Sequence, residues 1–184
     1  MSLEIVLLGG NGYIGREVTR QWLAHDLTAH FTVVSRSGKN TFASTRVSNV
    51  AADVTDADAL LKALPNKVDC IVCLVGGLGG ADANVAPVQS MLKVAKSLKV
   101  PAVGYVGGKM GDNSFVAAKA LACKMVRASG IRAVIVEPTL VYGAGRSDKF
   151  AKMVPLLKFA GLFNKNVRPV KVEDVASQLV NGLA

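Results

Sequence analysis

The sequence predicts a doubly wound parallel α/β sheet folded as a single domain over residues 1–184. Three observations predict it. Short apolar runs of strand length alternate along the chain with longer segments of helical periodicity. The first run, Ile5-Val6-Leu7-Leu8, leads directly into Gly9-Gly10-Asn11-Gly12-Tyr13-Ile14-Gly15 and then into a helix-patterned stretch, Arg16 to Leu23. The chain has 184 residues, of which 51% are hydrophobic and 19% charged, enough for one sizeable core and too apolar for disorder. Strands running one way and joined by right-handed helical crossovers make a parallel sheet covered on both faces.

The glycine stretch is the chain's clearest chemical signal. Between a strand and a helix, one glycine permits the tight turn, a second lets a diphosphate approach bare backbone, and a third lets the helix pack close to the strand. The helix N-terminus then offers free N–H groups and the positive end of its dipole. The spacing reads in two ways: Gly10, Gly12 and Gly15 give G-x-G-x-x-G, and Gly9, Gly12 and Gly15 give G-x-x-G-x-x-G. Gly9 to Gly15 are therefore expected to bind a dinucleotide.

A second strand, Phe31 to Val34, ends at Ser35-Arg36-Ser37, about 20 residues past the turn, where such folds read the adenosine ribose. An Asp or Glu there would bind the ribose 2′-hydroxyl. Arg36, with Lys39 nearby, instead suits a 2′-phosphate, so NADP is expected over NAD. A third strand, Arg46 to Ala52, ends in Asp53-Val54, which either borders the adenine or serves as a local turn acceptor. Thr55 or Asp56 opens a helix through Leu64. The fourth strand, residues 68–75, runs into Gly76-Gly77-Leu78-Gly79-Gly80. These small residues either let the backbone lie along the cofactor or form a loop without ligand contact. A helix from about Asn84 to Lys99 precedes Pro101 and the fifth strand, Ala102 to Val106.

Other features narrow the classes. Cys70 and Cys73 form a C-x-x-C, but residues three apart on a strand face opposite sides, so a structural role is expected; Cys123 is expected in the core. His25 and His30 lie at the end of the sheet opposite the expected site, and no His/Cys/Asp/Glu cluster has metal-ligand spacing. The net charge of +9 falls mostly after residue 100. Its basic residues are scattered without an aromatic-basic motif, which favours a solvated face over nucleic-acid binding. No apolar run reaches the roughly 18 residues of a transmembrane helix, and no basic segment with a long apolar core opens the chain, so a cytoplasmic location is expected.

Four segments, taken together, carry a family resemblance: the GGNGYIG turn, Phe115-Val116-Ala117-Ala118-Lys119, Val136-Glu137-Pro138-Thr139-Leu140-Val141-Tyr142-Gly143, and Arg168-Pro169-Val170-Lys171-Val172-Glu173-Asp174-Val175-Ala176. In this order and spacing the chain resembles the short-chain dehydrogenase/reductase superfamily, in its atypical, NAD(P)-binding or epimerase-like branch, over nearly its whole length. The resemblance implies a Rossmann fold. It also implies Lys119 at the nicotinamide ribose, with Pro138, Thr139 and Leu140 bordering the nicotinamide. Tyr142 falls at the substrate loop, where it either supplies a phenol or packs as an aromatic. Homodimers through the helices between residues 84 and 129 are a further family expectation.

The departures bear on chemistry. The superfamily's acid/base tyrosine is here Phe115, which has no proton to give. Gly107, Gly108 and Lys109 stand where a Ser or Thr would hold the substrate oxygen, and Glu137 replaces the strand-six arginine. Two readings follow: an NADP-dependent reductase or epimerase-like enzyme acting on a small carbonyl or sugar-nucleotide-like substrate with Tyr142, Lys109 or water as acid, or a non-catalytic NADP(H)-binding module that presents a surface to a partner. Residues 145–167 mix apolar and basic side chains and are expected to cap the cleft.

Overall fold

The computed structural model of the chain describes residues 2–39, 42–77, 80–144, 154, 155, 157 and 168–184. Six strands, β1 (Glu4–Leu8), β2 (His30–Ser35), β3 (Val47–Ala51), β4 (Cys70–Cys73), β5 (Ala102–Val106) and β6 (Arg132–Val136), form one parallel sheet in the order β3-β2-β1-β4-β5-β6. Ile5 of β1 lies opposite Phe31 on one side and Cys70 on the other. Crossovers leave in opposite directions on either side of β1 and β4. That switch point opens a crevice beyond the carboxyl ends of the strands, where ligands of such sheets bind.

Helices cover both faces: α1 (Tyr13–His25), α2 (Ala57–Ala63), α3 (Gly80–Asn84), α4 (Ala86–Ser97), α5 (Asn113–Arg127) and α6 (Val172–Leu183). A small parallel pair, β7 (Val141–Tyr142) and β8 (Val170–Lys171), stands apart from the main sheet. Alternation along the strands divides the core in two. Val6, Leu8, Ile71 and Tyr105 face α2, α4 and α5, packing on Leu60, Met91 and Val126. Ile5, Leu7, Phe31 and Val72 face α1 and α6, packing on Val18, Trp22, Val175 and Leu179. Trp22 is fully buried and meets Phe31 edge to face, with centroids 6.1 Å apart. Across this second interface, Gln21 Nε2 of α1 donates to the Glu173 carbonyl of α6 (3.0 Å).

The cysteines follow the alternation. Cys70 belongs to one core and Cys73 to the other, and both are free thiols. Cys123 is buried on α5. Helix ends are set by identifiable groups. Asp56 caps α2 by accepting from the Asp58 and Ala59 amides (2.9 and 3.0 Å), and Asp112 caps α5 through the Phe115 amide (2.9 Å). The Arg46 guanidinium closes α1 by donating to the Leu23 and Asp26 carbonyls (2.8 and 2.7 Å).

Two expectations change. The helix expected from about Asn84 to Lys99 is α4, Ala86–Ser97, and Asn84 instead ends the short α3 before it. Pro87, at the start of α4, has no N–H with which to continue α3, and Lys99 sits at φ 54°, beyond the helix end at Ser97. α1 starts at Tyr13, inside the glycine stretch, with Gly12 as its N-cap. Apart from Val154, Pro155 and Leu157, the cap expected over residues 145–167 lies outside the described residues.

Candidate functional site

The glycine turn is built from bare backbone. Gly9 sits at φ +82°, in the left-handed region, and its amide donates to the Val34 carbonyl (2.9 Å). Gly12 donates to the Gly9 carbonyl, and its own carbonyl receives the Arg16 amide (both 2.9 Å). A Cβ on Gly15 would lie 2.3 Å from the Gly9 oxygen and 2.7 Å from Gly10 Cα. The turn, cap and close-approach roles thus fall to Gly9, Gly12 and Gly15, while Gly10 packs under Val33 of β2. No side chain caps α1 and no acidic residue stands in its first turn, at the positive end of its dipole.

The neighbouring loops are tied to this turn. Asn11 Nδ2 donates to the Lys39 carbonyl (2.8 Å) and to Ser35 Oγ (3.4 Å). Arg36 is exposed at the end of β2. Of the two roles considered for Asp53, the turn acceptor is present: Oδ1 accepts from the Thr55 amide and hydroxyl (2.9 and 2.7 Å). Those bonds, with desolvation opposing them and the Arg36 charge assisting, hold the Asp53 carboxyl below its ordinary value. Val54 is buried beside it.

A residue the sequence reading missed organises the end of β4. Asn84 is fully buried at the end of α3; its Oδ1 accepts from the Gly77 amide (3.2 Å) and its Nδ2 donates to the Gly77 and Gly80 carbonyls (2.8 and 2.7 Å). The available signal was a lone amide at the start of an apolar-spaced helix just past a glycine run. Gly76 is bare for good reason, since a Cβ there would meet Lys119 Nζ at 2.5 Å and Asn84 Oδ1 at 2.8 Å.

These pieces border a cleft of about 550 Å³ beyond the carboxyl ends of the central strands. Tyr13, Ile14, Gly76 and Gly77 line one side; Gly107, Gly108, Met110, Phe115 and Lys119 line the other, and Pro138, Thr139, Leu140 and Val141 close the far end. The Phe115 ring lies against the loop after β5, where a Cβ on Gly108 would touch it at 3.0 Å. The stretch after β6 is fastened. The Pro138 carbonyl accepts from the Lys109 amide (3.0 Å), the Thr139 hydroxyl donates to the Arg168 carbonyl, and the Leu140 carbonyl accepts from the Val170 amide (2.9 Å). Glu137 is paired with Arg127.

Lys119 is not the solvated lysine that a helix surface would give. It is 5% exposed, donates from Nζ to the Val106 carbonyl (3.0 Å), and lies 5.0 Å from the Tyr105 ring centroid and 5.9 Å from that of Phe115. Burial pushes its pKa below the ordinary lysine value.

Tyr142 pairs with Lys171 in the β7–β8 ladder, and its strand neighbour Val141 lines the cleft. Adjacent strand residues point to opposite sides, so one of the two faces the cleft. The phenol that does line the cleft is Tyr13, whose hydroxyl donates to the Gly143 carbonyl (2.8 Å).

Comparison with known proteins agrees with this geometry. A sequence model described as the NAD dependent epimerase/dehydratase family matches residues 5–100. No curated protein sequence matches the chain. Among solved structures, a Rossmann-fold NAD(P)-binding family protein from Shigella flexneri is 20% identical, with 98% of this chain and 86% of that one covered at a TM-score of 0.74. The Bordetella bronchiseptica enzyme WbmH, solved in complex with NAD+, is 15% identical, with 100% and 73% covered at 0.72. The UDP-Glc/GlcNAc 4-epimerase of Campylobacter jejuni is 14% identical, with 99% and 74% covered at 0.74. At these identities the likeness is one of fold.

Proposed function

The chain belongs to the NAD dependent epimerase/dehydratase family, and from that premise we propose that it binds NADP(H) across the switch point and acts as an oxidoreductase or epimerase-like protein on a small carbonyl or sugar-nucleotide-like compound. One observation carries the reading: the glycine-rich Gly9–Gly15 turn at the start of α1, which no side chain caps. Gly15 lets the helix start lie against Gly9 and Gly10, where its N–H groups can receive a diphosphate.

In this reading Gly9 to Gly15 hold the diphosphate and Arg36 pairs with the 2′-phosphate. Asp53 and Val54 flank the adenine, and Gly76 and Gly77 let backbone lie along the cofactor. Lys119, Pro138, Thr139 and Leu140 border the nicotinamide, which when bound supplies or accepts a hydride. Residues 145–167 cap the cleft. NAD is the alternative cofactor, as in the Bordetella neighbour; the exposed cation at position 36, where a carboxylate would select the free ribose, favours NADP.

The test is calorimetric titration of the protein with NADPH and, separately, NADH. Tight NADPH binding with weak NADH binding is expected. Absence of heat with both would overturn the reading. Phe115 favours a second reading, a non-catalytic NADP(H) sensor that shows a cofactor-dependent surface to a partner. It predicts protease digestion that changes with NADPH while a broad carbonyl panel gives no turnover.

A further inference from the structure

The loop that leads from β5 into α5 sorts its side chains. Met110, Gly111 and Phe115 line the cleft, whereas Lys109, Asp112 and Ser114 are exposed and stand outside its described lining. Asp112 caps α5: its Oδ1 accepts from the Ser114 hydroxyl (2.6 Å) and from the Phe115 amide (2.9 Å). These polar residues serve the helix start, and the apolar ones face the cleft.

The Phe115 ring has a prepared seat. A Cβ on Gly108 would meet it at 3.0 Å, and one on Gly111 would meet it at 2.6 Å. Two glycines therefore let the ring lie against the backbone, and it stays half-buried, as does Met110. The remaining lining offers little to a polyol. Among the described residues that line the cleft, only Tyr13, Lys119 and Thr139 carry a side-chain oxygen or nitrogen. Each already donates to a backbone carbonyl, of Gly143, Val106 and Arg168 respectively. None is a carboxylate or an amide, which would accept from several sugar hydroxyls. A hydroxyl taken from water without a partner is penalised. An apolar ketone or aldehyde has one polar atom, its oxygen, and that atom can stay toward the open side of the cleft.

We propose that the compound held beside Phe115 and Met110 is an apolar carbonyl, an aryl ketone or aldehyde, and that these two side chains select it against a sugar nucleotide. The inference rests on the reading that the cleft takes a carbonyl compound next to the cofactor, and it chooses between the two substrate classes of that reading. The ring that has no proton to give packs against an aromatic ligand, and the Met110 thioether is a soft, adaptable neighbour for the same ligand. Phe115 and Met110 are then specificity-determining residues.

The test is amide NMR on the full isotope-labelled chain, first alone and then with excess NADP+, which has no hydride to give. Acetophenone and UDP-glucose are titrated separately. Acetophenone is expected to move the Gly108, Met110, Gly111 and Phe115 amides to saturation, and UDP-glucose at the same concentration to leave them in place. Phe115→Ser and, independently, Met110→Ser should each weaken acetophenone about tenfold; Met110→Ser decides if the other variant does not fold. UDP-glucose that moves these amides at equal or lower concentration overturns the proposal. So does acetophenone that moves only amides elsewhere, such as those around the exposed Leu27. The Gly12 and Gly15 amides report NADP+ separately. Acetophenone beside Phe115 with the glycine turn unmoved by NADP+ sinks the cofactor reading alone, and NADP+ on the turn with no acetophenone beside Phe115 sinks this one.

Discussion

The two walls of the cleft are made of different material. From Gly9 to Gly77 the wall is largely backbone: glycines, of which Gly9, Gly15 and Gly76 leave no room for a Cβ, a start of α1 that no side chain caps, and a loop clamped by Asn84. From Val106 to Val141 it carries side chains: Phe115 against Gly108, a buried Lys119, and the fastened Pro138–Leu140 stretch. The family match ends at residue 100, close to this boundary. This wall tolerates little change at Gly15, where an added Cβ collides with the Gly9 oxygen and Gly10. A side-chain wall can exchange its chemistry while keeping its shape, and Phe115 in place of a tyrosine is such an exchange. In the proposed reading, cofactor recognition and reaction chemistry would then fall on different walls.

The largest effect is expected from breaking the backbone wall. In Gly15→Val the new Cβ meets the Gly9 oxygen and Gly10, neither of which can move aside. The variant should lose about 3 kcal/mol in urea unfolding and all measurable NADPH binding. Wild-type affinity in a folded Gly15→Val protein would show that the diphosphate lies elsewhere. Arg36→Ala should follow in size. Loss of one charge-assisted contact costs about 1.5–3 kcal/mol, so NADPH affinity should fall at least tenfold while NADH affinity stays within about twofold. Equal losses for both cofactors would remove the 2′-phosphate from the argument for Arg36.

Phe115→Tyr tests the other wall. The ring keeps its place and gains a proton donor, so stability should change by less than about 1 kcal/mol. NADPH consumption with aldehydes should rise above wild type; no rise would show that the missing phenol is not what limits the site. The smallest expected effect is a pH dependence. Lys119 has a folded pKa below the ordinary 10.5, so the folded protein releases that proton before the unfolded chain does. Between the two values the unfolded state holds more protons, and stability rises with pH; below the folded value the cost of burying the charge is present in full. Lys119→Met removes this rise. Urea midpoints of wild type and variant at several alkaline pH values should converge toward pH 10.5, and parallel curves would show that burial does not perturb Lys119.

The legible parts were those fixed by local pattern. The strand, glycine turn and α1 adjoin in sequence. Cys70 and Cys73 part by strand alternation, and Asp56 caps the helix it precedes. The parts that stayed hidden depend on distant backbone. The resemblance singles out Lys119, but its burial depends on the Val106 carbonyl and the Tyr105 ring that close over it. Asn84 sits within a run of helical spacing that Pro87 divides. Which of Val141 and Tyr142 faces the cleft is decided by a two-residue ladder with Val170 and Lys171, which carries too few residues to show a period. The Tyr13 hydroxyl finds the Gly143 carbonyl 130 residues along the chain.

The packing of α1 on α6 has a kinetic consequence. Gln21 meets the Glu173 carbonyl across 152 residues, and Trp22 and Val18 share a core with Val175 and Leu179. Contacts of such long range close late, because loop entropy must be overcome before they contribute. As the chain leaves the ribosome, β1, the glycine turn and α1 are made first, and the helix that covers α1 comes after every strand of the main sheet. The helix proposed to receive the diphosphate is thus among the last to be seated. A nascent chain would carry an exposed tryptophan face until residues 172–183 emerge, and a nucleotide present during synthesis could select the docked form only after that point.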